Sequence, residues 1–198
     1  MRPGTGQPEH KEADFLEKMT LKNGRMISLR KALPDDAQRI IDLVNQTDTE
    51  SRFMTREPGE FRYTVAQERE LLSQQGADRA WFLALDGEKL IGMASVDRVG
   101  TRARLRHRAT LGLVIRKDYW GQGIGRRLMA QLIAWTRQQG FEQLELEVIA
   151  DNLRAKGLYE RLGFSQTGLI PRAFKYSDGS YGDSLLMMMW LKEQPPSS

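Results

Sequence analysis

Apolar side chains recur at helical spacing in several stretches of the chain. Pro34 and two aspartates open a segment over Leu33–Gln46 in which Ile40, Ile41 and Val44 form one stripe. Thr64 and Gln67 have the spacing of a capping box and predict a helix from Thr64 to Gln75 that stops near Gly76. A longer helix is expected to run to Gln139, with Ile124, Leu128, Leu132 and Trp135 on its buried face and Gly140 as its C-cap. Asn152 to Leu162 reads as a short helix closed by Gly163.

Between these segments the period falls to two, the mark of strands, whose successive side chains point to opposite faces. Arg25–Lys31 is a short strand. Trp81–Leu85 and Lys89–Val96 flank Asp86-Gly87 and form a hairpin. Arg102–Ile115 alternates Arg102, Arg104, Arg106 and Arg108 with Leu105, His107, Ala109, Leu111, Leu113 and Ile115, which predicts a strand with one basic and one apolar face. Phe141–Ala150 sets Leu144, Leu146 and Val148 against Glu145 and Glu147. Gln166–Tyr176 and Tyr181–Leu191 make a second hairpin around Ser177–Ser180, with Met187, Met188 and Met189 as core filler. The predicted order is β-α-α-β-β-β-α-β-α-β-β: an α/β fold with about seven strands in a mixed, mostly antiparallel sheet and about four helices. Residues 1–20 read as a polar extension or a lead-in helix over Glu12–Met19, residues 21–193 as one domain, and 194–198 as a tail.

Composition narrows the function. With 198 residues and 40% hydrophobic, the chain supports one core and is not wholly disordered. The longest apolar run, Leu185–Leu191, falls far short of the ~20 residues of a membrane span. The N-terminus lacks the apolar stretch of a secretion signal, so a cytoplasmic address is expected. The absence of Cys removes disulfides, thiolate nucleophiles and cysteine metal sites, and the 2 His argue against a histidine metal cage, so no metal is expected. A net charge of +4 is mild. The arginine run reads as a solvated edge or as a surface for an acidic partner. Nucleic-acid contact is disfavoured because no aromatic residues interleave.

The segment richest in chemistry is Leu113-Val114-Ile115 followed by Gly121-Gln122-Gly123-Ile124-Gly125-Arg126 at the start of a helix. Glycines let the backbone approach a ligand, and the free N–H groups of a helix N-terminus favour a phosphate. Neither a Walker lysine nor the three-glycine spacing of a dinucleotide loop is present. Asn152 to Phe164, taken alone, is an amphipathic helix with Asn152 as N-cap and Tyr159 as a packed aromatic.

Together, the glycine loop and the Leu158-Tyr159-Glu160-Arg161-Leu162-Gly163-Phe164 segment resemble the GNAT superfamily of acyl-CoA-dependent N-acyltransferases, from roughly Ile27 to Leu191. The second half is similar to the ribosomal-protein alanine N-acetyltransferase type. The resemblance implies acetyl-CoA as co-substrate, its diphosphate on the loop and its pantetheine arm between the strand ending at Ile115 and its splayed neighbour Phe141–Ala150. It further implies a main-chain N–H near Ile115 at the thioester carbonyl, Asn152 on the pantetheine, Tyr159 as the acid at the sulfur and Glu147 as the base. His107 is the rival base and Glu145 a third candidate. Trp120 departs from the family pattern, in which Arg or Gln often stands there, and Arg126 and Arg127 are expected to compensate.

The implied reaction is direct acetyl transfer to a primary amine in a ternary complex. A second reading on the same fold is a catalytically weak acyl-CoA sensor or interaction module, and a third is a basic RNA-associated protein. The resemblance implies an acceptor pocket between Leu33–Gln75, with Phe53, Met54, Phe61 and Tyr63, and Arg172–Tyr181. The pattern names no acceptor, whether protein or small molecule, and does not decide between a monomer and a homodimer.

Overall fold

The computed structural model describes residues 15–192. Strands Phe15–Thr20 (β1), Met26–Lys31 (β2), Arg79–Asp86 (β3), Lys89–Arg98 (β4), Arg108–Ile115 (β5), Gln143–Ile149 (β6), Ser165–Lys175 (β7) and Tyr181–Trp190 (β8) form one sheet in the order β1-β2-β3-β4-β5-β6-β8-β7. Neighbours run antiparallel except β5 and β6, which are parallel. Helices Ala37–Glu50 (α1) and Val65–Ser73 (α2) cover one face; Ile124–Gln138 (α3) and Leu153–Arg161 (α4) cover the other. Among the described residues no helix is long and apolar enough to cross a membrane.

Local chemistry explains most element ends. The Thr64 hydroxyl accepts from the Gln67 N–H at 3.2 Å, and the Gln67 side chain accepts from the Thr64 N–H at 2.9 Å, so the expected capping box forms. Gly87 takes a positive φ in the β3–β4 turn. Ile124, Leu128, Leu132 and Trp135 are all buried, as the 3.6-residue period requires. Ahead of α1, the buried Asp36 carboxylate accepts two bonds from Arg30 at 2.6 and 2.7 Å and one from the Leu33 N–H. Burial pushes the Asp36 carboxyl up, but the Arg30 guanidinium and the Leu33 N–H together bring it below its ordinary value.

Two expectations are corrected. The lead-in helix expected over Glu12–Met19 is, in its described part, strand β1, which pairs with β2 from Phe15↔Arg30 to Thr20↔Met26. The sheet therefore has eight strands and begins before Leu21; the expected extension before Phe15 and the tail at 194–198 lie outside the described residues. The arginine run is not a strand face. Ala103–Leu105 is a 3-10 turn and β5 begins only at Arg108, so the four arginines do not lie on one strand. The Val99 N–H bonds the Arg108 carbonyl, closing the β4–β5 connection as a loop around Gly100.

One irregularity of the sheet positions the site. β5 and β6 pair only at Arg108↔Gln143, Ala109↔Leu144 and Thr110↔Glu145. Beyond that rung β5 stays bonded to β4 as far as Ile115↔Gly92, and β6 to β8 as far as Ile149↔Ser184. Each strand is held from outside while the inner edges part. A register shift in β4 at Ile91, between the pairs Ala84↔Gly92 and Leu85↔Leu90, adds local twist beside the opening.

Candidate active site

The opening between β5 and β6 leaves main-chain groups in search of partners. The Arg116 N–H bonds the Ile91 carbonyl of β4 at 3.0 Å. Alternation along an antiparallel pair then turns the N–H groups of Ile115 and Leu113 the other way, into the gap. Buried peptide groups are almost always paired, so an edge of this kind inside a sheet marks a place for an extended polar ligand. At the closed end Arg108 and Glu145 form a two-point ion pair across the strands, with an Nη2–Oε2 distance of 2.7 Å. The bonds it donates to Glu145 raise the Arg108 guanidinium above its ordinary value.

At the open end the chain turns through Gly121 and Gly123, both with positive φ, into α3. A Cβ at Gly121 would meet nothing within 4 Å, so the loop faces open space. α3 has no side-chain N-cap and no acidic residue in its first turn, which leaves its leading N–H groups available to an anion. Gly125 serves differently. A Cβ there would lie 3.1 Å from both Ile115 Cδ1 and Leu158 Cδ2, so its missing side chain lets β5, α3 and α4 meet. The buried Nε of Arg116, next to Ile115, has no hydrogen-bond partner among the described residues.

The loop is braced from a direction the sequence pattern did not reveal. The Lys22 N–H donates to Gln122 Oε1 at 3.1 Å, and a Cβ at Gly123 would lie 3.4 Å from Met19 Cε. Arg127 pairs with Glu17 at 3.2 Å, so this expected compensating cation is committed to β1. Arg126 is exposed and meets no carboxylate among the described residues. Trp120 donates its indole N–H to the Ile115 carbonyl at 2.8 Å.

The expected catalytic residues lie on β6 and α4. Glu147 is exposed on the face of β6 opposite Leu146 and Val148, and the fully buried Ser184 hydroxyl donates to its Oε2 at 3.2 Å. Tyr159 is buried in the core cluster that holds Leu146 and Val148, on the other face of the sheet, edge-on to Phe164 with ring centroids 5.8 Å apart. Burial pushes its phenol up to about 12, and its hydroxyl has no hydrogen-bond partner among the described residues. Asn152 is the N-cap of α4, its Oδ1 accepting from the Ala155 N–H at 3.2 Å, which leaves its amide NH2 as the group able to face a ligand. Glu145 is engaged by Arg108 and Gln143. His107 precedes β5 at the closed end, where its carbonyl accepts the Glu142 and Gln143 N–H groups.

A cavity of about 560 Å³ lies between the segment Asp48–Glu60 and the β7–β8 hairpin, where an acceptor pocket was expected. Of the four expected aromatic and sulfur side chains, Met54 lines it; Phe61 instead packs beside the α1–α2 core and tilts against Tyr63. Among the described residues no group of three metal-ligating side chains gathers.

Comparison with known proteins agrees with this geometry. Residues 41–164 match the model of the acetyltransferase (GNAT) family. The [ribosomal protein bS18]-alanine N-acetyltransferase of Escherichia coli is 30% identical over 122 residues, covering 62% of this chain and 78% of that one. Two mycobacterial relatives are longer than the match, which spans 27% and 57% of their lengths. A GNAT acetyltransferase from Streptococcus pneumoniae superposes with a TM-score of 0.80 at 28% identity, over 83% of this chain and 99% of that one. The Salmonella typhimurium protein yncA, solved with its cofactor acetyl-CoA, superposes with a TM-score of 0.75 at 18% identity, over 87% and 98%.

Proposed function

Because the chain belongs to the acetyltransferase (GNAT) family, we propose that it transfers an acetyl group from acetyl-CoA to a primary amine by direct attack. The observation that carries this reading is the parting of β5 and β6 past Thr110↔Glu145 beside a glycine loop that opens a helix. The chemistry of both places suits the co-substrate. Its diphosphate matches the uncapped N–H groups of α3 and the open space over Gly121. The amides of its pantetheine arm match the β5 edge at Leu111 and Leu113 and the Ile115 N–H, which have no β6 partner, and the free amide NH2 of Asn152.

When bound, acetyl-CoA supplies an activated acyl thioester; the chain's own groups do the rest. The Ile115 N–H, turned into the gap, is the donor for the carbonyl oxygen as negative charge grows on it. Glu147 takes the proton of the attacking amine from the open face of the sheet, and the Ser184 hydroxyl holds its carboxylate in place. Tyr159 supplies a proton to the leaving sulfur from the opposite face. A phenol at about 12 stays protonated throughout the neutral range, as this role requires. With base and acid on opposite faces, the incoming and departing groups have separate paths. Without Cys, no cysteinyl-enzyme forms.

The E. coli relative's acceptor is the alanine of a ribosomal protein, so a peptide α-amine heads the acceptors to assay, followed by lysine and small polyamines. The experiment is thiol release from acetyl-CoA with these amines, run beside calorimetry. Tyr159→Phe is expected to lower kcat by roughly 10²–10⁴-fold and Glu147→Gln by a similar factor, the range for a positioned acid or base, with acetyl-CoA affinity unchanged. Acetyl-CoA binding without thiol release for any amine favours the sensor reading instead.

A further inference from the structure

Trp120 stands where a direct side-chain contact to phosphate is often found in the family, and indole is no phosphate ligand. The structure shows what it does instead. Its ring carries the guanidinium of Arg154, with Cζ 4.1 Å from the ring centroid, well within cation–π range. The ring is itself fixed, since its Nε1–H is bonded to the Ile115 carbonyl at 2.8 Å. Arg154, on α4, is therefore held against the residue that precedes Gly121.

Two features say that this cation is kept for an anion. Arg154 is the second residue of α4, in the first turn of a helix, where the dipole disfavours positive charge and which itself holds no acidic residue. It is exposed and pairs with no carboxylate among the described residues, unlike Arg127, which Glu17 engages. Stacking occupies only the flat face of a guanidinium. The N–H groups along its edge remain free, in a planar fork that fits two oxygens of one phosphate.

We infer that Arg154, stacked on Trp120, is the side-chain ligand of the acetyl-CoA diphosphate, in place of a residue at position 120 itself. The inference rests on acetyl-CoA being the co-substrate, and it makes Trp120 a positioning residue that works through Arg154.

The test is calorimetric titration of the full chain with acetyl-CoA, 3′-dephospho-acetyl-CoA and S-acetylpantetheine. Arg154→Ala is expected to weaken the first two about tenfold each, or ~1.4 kcal/mol, and to leave S-acetylpantetheine unchanged. Trp120→Ala is expected to give the same loss, and the double variant no further loss, because both remove one interaction. Trp120→Phe keeps a face for stacking and is expected to recover most of the affinity. Equal acetyl-CoA affinity in wild type and Arg154→Ala overturns the inference, as does an equal loss for S-acetylpantetheine, which would make the effect structural. A loss confined to acetyl-CoA overturns the diphosphate assignment in favour of the 3′-phosphate. Failure of the wild type to bind acetyl-CoA would instead remove the proposed function on which the inference stands.

Discussion

Tyr159 and Glu147 differ most in their surroundings. One is a phenol whose ring is buried edge-on to Phe164 in the core cluster; the other is a carboxylate at the surface with one hydroxyl on it. Burial pushes the Tyr159 phenol up to about 12, and its proposed role as the acid then predicts the alkaline behaviour. The rate constant kcat/KM is expected to rise as the acceptor amine loses its proton and to stay level through about pH 10, where an ordinary tyrosine acid would already be half lost. A descending limb below about pH 9 would remove Tyr159 from the acid role. The effect on stability has its own sign. Below the phenol's unfolded value of ~10 both states carry the proton and Tyr159 adds no pH dependence. Between there and about 12 only the unfolded chain ionises, so stability falls as pH rises through that window. Taken alone, the pattern makes Tyr159 a packed aromatic and Glu147 a strand-face carboxylate; their catalytic roles come from the family resemblance, and no pattern marked Ser184. A serine inside an apolar strand reads as a neutral filler until its partner on the next strand is known.

At the scale of elements, β1 is the part whose contribution was hidden. Its segment is short, with Phe15 and Leu16 adjacent rather than alternating, and next to a Gly- and Pro-bearing stretch, so an edge strand does not stand out. Its value lies in distant contacts: Met19 under Gly123, Glu17 on Arg127, and the Lys22 N–H, just past the strand, on Gln122. Removing the first two contacts with Glu17→Gln plus Met19→Ala is expected to cost about 1–2 kcal/mol in urea unfolding. The same variant is expected to weaken acetyl-CoA binding several-fold by loosening the loop. A stability loss with unchanged binding would show that the brace holds the sheet alone. The arginine run is the opposite case. Its period of two is real in the sequence, but a strand is specified by one buried and one exposed face, and Arg102–Arg104 are all exposed. Without a buried face there is no register to enforce, and the chain turns there instead.

For the molecule as a whole, the architecture was legible because both faces of the sheet are covered by helices with strong stripes. Two of them carry sharp sequence punctuation, Thr64 with Gln67 at one start and Asn152 at another. The order of strands was less so, since β8 inserts between β6 and β7 and only pairing reveals it. The opening itself was named only by resemblance. No local pattern says that β5 and β6 stop pairing after Thr110↔Glu145, because the separation is imposed by outside partners: β4 on one strand, β8 on the other. The central claim is that the freed edge of β5 receives the pantetheine arm of acetyl-CoA. Amide hydrogen exchange, resolved by residue with and without acetyl-CoA, tests it most directly. The Leu113 and Ile115 N–H groups are expected to slow by at least tenfold on binding, while those of Gly112 and Val114, already turned toward β4, change little. Equal exchange at Leu113 and Ile115 with acetyl-CoA present and absent would contradict the account.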